Sequence, residues 1–355
     1  MDYVYENVLR PYYFRCDPET AHNKAVENMT LLAKFRPLVR AMEKRNMIVP
    51  GAKPVEAFGL TFANRVGLAA GFDKHATAWA ACGAFGFGHA EIGTITQHAQ
   101  DGNDKPRVFR YPQYEAAVNR YGFPNIGADA AAERLSRGPK KGTRSFPLGV
   151  NIGKSKKTDL ADAHRDYLYS FDKLAPYADY MVVNISSPNT PGLRQLQDRG
   201  HLVTLLGELM KANRERAGKL GETPIPFLLK IAPDLNGDQL DDILTVVAET
   251  GFSGIIATNT TMDRPASMPE LEKTGGLSGK PLLEKSLGVV RYLVKASNGK
   301  IPVIGSGGIC TVKDAGRFLD EGAIMVQLYT GLVFRGPFFA KECARALAIR
   351  DTDWV

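Results

Sequence analysis

The sequence is short of several things, and each shortage narrows what the protein can be. It carries only 4 cysteines in 355 residues (Cys16, Cys82, Cys310 and Cys343), with no CxxC pair. That excludes a disulfide-framed scaffold, argues against a thiolate metal site and fits a reducing compartment. The 6 histidines (His22, His75, His89, His98, His164 and His201) show no ligand spacing, so no metal is expected. No stretch nears the roughly 18 continuous apolar residues of a membrane-spanning helix. The start lacks the charged-then-apolar layout of a secretory signal. A basic stripe with interleaved aromatics is missing too, which argues against nucleic acid. What is present is ordinary globular material, 44% hydrophobic and 23% charged. The net charge of +7 suits an anionic substrate or an anionic lipid surface.

From about residue 64 one pattern repeats. A short apolar run ends in Gly, Asn, Lys or Thr, and a helix-like stretch follows. The runs lie at 65–70, 90–95, 147–152, 180–185, 227–231, 254–258, 302–304 and 324–328. The helical stretches lie at 75–84, 127–137, 158–175, 201–217, 238–250, 283–297, 312–320 and 337–349. Strands that are apolar throughout, not alternating, fit a parallel sheet covered by helices. Eight strand–helix units predict a (β/α)₈ TIM barrel. A doubly wound open sheet is the rival, but its GxGxxG after the first strand is absent. Segments 98–126 and 259–282 read as long loops on the active-site face.

Residues 1–50 stand outside the repeat, which divides the chain into a 1–50 helical addition and a 51–355 barrel. Helices are expected at 19–34 and 36–45. Leu31, Leu32, Phe35, Leu38, Val39 and Met42 recur at helical spacing among Lys34, Arg36, Arg40, Lys44 and Arg45. Two readings stand: the apolar face packs on the barrel, or it forms a membrane-surface patch.

Polar residues collect where the strands end. They include Gly71, Asp73 and Lys74 after the first, Thr94, Asn151, then Asn184, Ser187 and Asn189, Lys230, and Thr258, Asn259 and Thr260. One such residue is easily a loop former; six strands in succession predict a shared pocket. Gly305-Ser306-Gly307-Gly308 after strand seven and Tyr329-Thr330-Gly331 after strand eight fall where many barrels bind phosphate, with the next helix offering its N-terminus. Lys74 and Lys230 fall on opposite strands of an eight-membered ring, placed to stabilise anionic groups. Asn119, Asn184, Asn189 and Asn259 supply amides, which both donate and accept and so suit the edge of a pyrimidine ring.

The blocks GLAAGFDK (67–74), EIGTIT (91–96), PRVFRY (106–111), NRYGFPN (119–125), GVNIGK (149–154), VNISSPNTPGLR (183–194), LLKIAPD (228–234), ATNTT (257–261), GGLSG (275–279), IPVIGSGGI (301–309) and VQLYTG (326–331) resemble, in order, those of the dihydroorotate dehydrogenase family. The resemblance is to its membrane-associated, quinone-reducing class and covers nearly the whole chain. It implies an FMN-containing barrel that oxidises dihydroorotate to orotate in pyrimidine synthesis. By resemblance, Ala70, Gly71, Phe72, Asp73, Lys74, Thr94, Asn151, Asn184, Lys230, Thr258, Gly279, Gly308, Tyr329 and Thr330 match FMN positions. Lys74, Asn119, Arg120, Tyr121, Gly122, Phe123, Asn184, Asn189, Asn259 and Thr260 match substrate positions. Ser187 matches the catalytic base, where the soluble classes have Cys. His22, Arg110 and Tyr329 match quinone-site positions.

The resemblance implies a membrane-associated protein, and the positive charge fits a peripheral hold on anionic lipid. A start without a recognisable presequence favours the cytoplasmic face of a bacterial inner membrane over a mitochondrial location. The sequence departs from the family pattern at His75-Ala76, where many members have an acidic or amide residue and then Gly. That puts the first active-site loop in question. A flavin-free phosphate-binding barrel would explain the glycines but not the asparagines. A non-catalytic membrane-surface protein would explain neither.

Overall fold

The computed structural model describes residues 3–352. Eight strands form a closed, all-parallel barrel: β1 (Val66–Leu68), β2 (His89–Ile95), β3 (Leu148–Ile152), β4 (Tyr180–Asn184), β5 (Phe227–Ile231), β6 (Gly254–Ala257), β7 (Val303–Ser306) and β8 (Met325–Leu328). Sequence neighbours pair in turn, β8 pairs with β1, and registers such as Gly149↔Tyr180 and Val326↔Val66 close the ring. Every residue of these strands is buried, as continuous apolar runs require. Gly67 and Gly149 make room inside the ring, since a Cβ would lie 1.9 Å from the His89 ring and 2.2 Å from that of Tyr180. A two-residue hairpin joins Val55–Ala57 to Leu60–Phe62, with Phe58 and Gly59 both left-handed. It drives Phe62 into the barrel bottom against Tyr180, Ile256 and Met325.

Helices cover the barrel near the expected places, with shifted ends. The stretch expected at 158–175 becomes a helix only at Ala163–Leu174, and that at 201–217 runs over Arg199–Leu220. Segment 75–84 is not an α-helix. Asp73 takes the N–H groups of Thr77, Ala78 and Trp79 at 2.8–2.9 Å, and a 3₁₀ segment, Trp79–Phe85, follows. The expected long loops also hold more structure. Val108–Tyr111, Ala116–Asn119 and Gly276–Gly279 form a three-stranded antiparallel sheet. It has its own small core of Ala116, Val118, Leu271 and Leu277.

At the N-terminus, Asp17 caps the helix Pro18–Lys34 by accepting from Thr20 N–H at 2.9 Å, with Pro18 in the first turn. A second helix, Arg36–Asn46, buries Val39 and Glu43 and ties Asn46 Nδ2 to Ala84 O at 2.7 Å. The apolar residues of this region divide. Val39 and Met47 pack inward, whereas Leu31, Phe35 and Leu38 are each more than half exposed, as are Val4, Val8 and Tyr12. Lys34, Arg40, Lys44 and Arg45 are exposed around them. Among the described residues no helix is long and apolar enough to cross a membrane.

Candidate active site

A cavity of about 220 Å³ opens at the C-terminal ends of the strands. Its wall gathers most of the residues singled out from the sequence: Ala70, Gly71, Lys74, Thr94, Asn119, Tyr121, Gly122, Phe123, Asn184, Ser187, Asn189, Lys230, Thr258, Asn259, Thr260, Gly279, Gly308, Tyr329 and Thr330, together with His22 and Arg110. Four others lie outside the wall. Phe72 packs edge-on against His22 and Tyr329. Asp73 is spent on the three N–H groups described above. Asn151 sits one layer deeper, between Thr94 Oγ1 (2.6 Å) and Glu91 Oε1 (2.8 Å). Arg120 points away, to Pro106 O and Thr274 Oγ1. Ser306 and Gly307 of the expected phosphate loop line the cavity too, and so do Ser278 and Gln327, which had not been singled out as ligands.

The amides form a connected set. Asn184 Nδ2 donates to Thr94 Oγ1 at 3.0 Å, and Asn184 Oδ1 accepts from Ser186 Oγ at 3.0 Å and Asn259 Nδ2 at 3.4 Å. Asn189 Nδ2 reaches Asn119 O at 3.1 Å, and its backbone N–H donates to Ser187 Oγ at 3.2 Å. Such mutual bonding locks rotamers before a ligand arrives, which lowers the entropic cost of orienting it.

The two lysines are held differently. Lys230 Nζ lies 3.5 Å from Glu91 Oε1 in the barrel interior. Lys74 Nζ is 2.9 Å from His22 Nε2 and 4.2 Å from the centre of the Tyr121 ring. Burial pulls Lys74 down to about 7, against the opposing pull of Glu19 and Asp73. Burial, then the Lys74 charge, holds His22 well below the usual histidine range. Burial likewise pushes the Tyr121 and Tyr329 hydroxyls up, so both stay protonated donors.

The glycine cradle departs from expectation in one respect. The helix after β7, Val312–Asp320, closes its own N-terminus with a capping box between Thr311 and Asp314. The helix that starts at the cavity is the one after β8, Thr330–Arg335, with Thr330 in the wall. Gly307 and Gly308 have φ of +117° and +82°. A Cβ on Gly308 would lie 2.4 Å from Leu283 Cα, so only glycine lets this loop reach the mouth.

These features fit a phosphorylated flavin. The glycine loop and the start of the short helix suit a phosphate. Two buried cations and an amide row suit a polar ring, and Gln327 Oε1 is buried with no partner at the cavity floor. At the first loop, Ala76 takes φ +55° and is buried. The conformation a glycine would adopt is therefore kept by Ala76, held between the Asp73 bonds and Arg134, which donates to His75 O at 2.7 Å.

A closed parallel barrel that pools buried cations, amides and a hydroxyl at one mouth is a (β/α)₈ barrel enzyme. The family model for dihydroorotate dehydrogenase matches residues 53–350, and the chain belongs to that family. A dihydroorotate dehydrogenase (quinone) from Acidithiobacillus ferrooxidans is 46% identical over 343 residues, covering 96% of this chain and 93% of the relative. One from Chloroflexus aurantiacus is 44% identical over 350 residues, covering 97% and 96%. That coverage takes in most of residues 1–50, which the family match leaves out. The crystal structure of DHODH from Eimeria tenella in complex with ferulenol matches with TM-score 0.82 at 38% identity, covering 95% of this chain and 93% of that one.

Proposed function

We propose that this protein oxidises dihydroorotate to orotate, with FMN as the hydride acceptor and a membrane quinone as the final electron acceptor. The observation that carries the reading is the single cavity in which Ser187, four asparagines and two buried lysines meet His22 of the N-terminal helix. When bound, FMN supplies a two-electron centre that takes the hydride and passes electrons on.

This chain's own groups do the rest. Ala70, Gly71, Thr94, Asn184, Lys230, Thr258, Gly279, Gly308, Tyr329 and Thr330 would hold the cofactor. Phe72, Asp73 and Asn151 act one layer behind, by fixing loop and side-chain positions. Asn119, Asn184, Asn189, Asn259 and Thr260 orient the substrate ring, and Lys74 meets its charge. Arg120 serves by pinning its loop to Thr274, not by touching substrate.

Ser187 takes the substrate proton. A free serine hydroxyl is a weak base and needs a relay. Thr190 Oγ1, three residues on in the same loop, is buried with no partner, a group suited to anchor a relaying water. His22, Arg110 and Tyr329 border the quinone entrance. Arg110 spans it, donating to Phe14 O at 3.1 Å and lying 4.0 Å from the Phe14 ring centre.

The exposed Leu31, Phe35 and Leu38 with their surrounding cations support docking of residues 1–50 on an anionic lipid surface. That surface is the cytoplasmic face of a bacterial inner membrane. One assay tests the reading: purified protein, dihydroorotate, and a long-chain quinone held in anionic vesicles. Orotate forming with matching quinol, from a protein showing flavin absorbance, is the expected result. Turnover with fumarate or NAD but not with quinone would overturn it.

A further inference from the structure

Glu91 opens the EIGTIT segment and has no part in the chemistry described so far. It sits on β2, and its side chain is fully buried inside the barrel. Both oxygens are engaged. Oε1 accepts from Asn151 Nδ2 at 2.8 Å and faces Lys230 Nζ at 3.5 Å, and Oε2 accepts from Gln327 Nε2 at 2.7 Å. The partners come from β3, β5 and β8, so the carboxylate lies on the barrel axis under the cavity. Lys230 and Gln327 are in the cavity wall, and Asn151 reaches it through Thr94. A buried charge of this kind is costly, and a packed apolar residue would serve the fold as well or better. The arrangement therefore needs a reason beyond stability, and the reason lies with what sits on Lys230.

We propose that Glu91 is a positioning residue that aims Lys230 at the cavity floor and subtracts from the positive field Lys230 casts there, holding down the reduction potential of the bound flavin. The proposal rests on the FMN reading above. A flavin ring that gains negative charge is favoured by a cation beneath it and disfavoured by a carboxylate behind that cation. A lower potential eases the passage of electrons onward.

The test is Glu91→Gln, nearly the same shape without the charge. Gln327 can turn its amide so that its unpartnered Oε1 accepts from the new side chain, which keeps the hydrogen bonds. Equilibration of the flavin-replete protein with a reference dye should show at least a tenfold shift toward the reduced form, ~30 mV for a two-electron couple. Gln327→Met breaks the same contact without changing charge and should shift the ratio less than threefold.

A potential unmoved or lowered in Glu91→Gln, or moved equally by Gln327→Met, overturns the proposal. If Glu91→Gln does not hold flavin, Lys230→Gln is compared with the double variant. The single variant leaves the Glu91 charge with its two amide donors but no cation beside it, and its dye ratio should lie at least tenfold further toward the oxidised form; equal ratios overturn the proposal. A wild-type protein that neither purifies with flavin nor takes it up overturns the cofactor reading and this one together.

Discussion

Lys230 and Lys74 face each other across the barrel, yet they are built in opposite ways. Lys230 stands on a strand, in register with Asn184 of β4, and has a carboxylate 3.5 Å away. Sheet geometry fixes where its backbone stands, and the carboxylate fixes where its ammonium points. Lys74 stands in a loop, and its near partner is an imidazole at 2.9 Å contributed by the N-terminal helix. The carboxylates around it are committed elsewhere, Asp73 to three backbone N–H groups and Glu19 to Arg107 at 2.7 Å. So the barrel supplies a paired charge at the floor, while the loop and the N-terminal addition supply an adjustable one at the rim. Burial brings the rim lysine down to about 7, so its proton is in play near neutrality.

In the proposed function both lysines serve charge, and Ser187 takes the substrate proton. Ser187→Ala should therefore give the largest effect, at least about 10²-fold slower dihydroorotate oxidation with flavin retained. Stopped-flow bleaching of the flavin measures it. Near-normal bleaching would move the proton to Lys74 and undo the division of labour.

Next comes the loop that carries Lys74. Asp73→Asn keeps the size but puts an NH₂ against backbone N–H groups that now meet a carboxylate. A loss of about 1–3 kcal/mol in unfolding free energy is expected, the cost of a buried donor left unsatisfied. Urea denaturation reads it. An unchanged midpoint would mean the loop is held by its packing and not by Asp73.

How much of this was legible in the sequence follows the same divide. The barrel strands and the residues on their ends could be read, because a buried parallel strand is a continuous apolar run and its C-terminal end is a fixed place. Features built from loops and distant partners could not. The sheet over the mouth joins 108–119 to 276–279, and no local pattern announces a pairing across that separation. Segment 75–84 has helix-like composition, but the Asp73 carboxylate offers its backbone a competing arrangement. The helix after β7 looked open to an anion until Thr311 and Asp314 were seen to close it. Arg120 sits inside a block of substrate-like residues, and only the structure turns its side chain outward. Glu91 was visible as a letter, but its convergence with three other strands was not.

The difference between the lysines also has a sign in pH. Lys74 keeps its proton to about 10.5 in the unfolded chain and to about 7 in the folded one. Between those values the unfolded state binds more protons, so stability rises with pH across that window. Flavin-free protein should gain about 1 kcal/mol per pH unit just above 7, and Lys74→Met should flatten the slope. His22, held below its usual range, adds a loss of stability as pH falls below about 6.5. A slope unchanged by Lys74→Met would place the titration elsewhere.

The smallest expected effect concerns Ala76, two residues from Lys74, at φ +55° and buried in the main core. Glycine there would relieve a left-handed cost of about 1–2 kcal/mol. It would also surrender about 0.8 kcal/mol of methyl burial and about 0.4–1 kcal/mol through the freer unfolded chain. The gain and the losses nearly cancel, so Ala76→Gly should leave the unfolding free energy read by urea denaturation within about 1 kcal/mol of the wild type. No such near-cancellation exists at Lys230, where strand backbone leaves a glycine with nothing to relieve. A loss above about 2 kcal/mol on Ala76→Gly would mean that the Ala76 methyl is a packing element of the rim. The loop would then be fixed from its core side and not by the Asp73 hydrogen bonds.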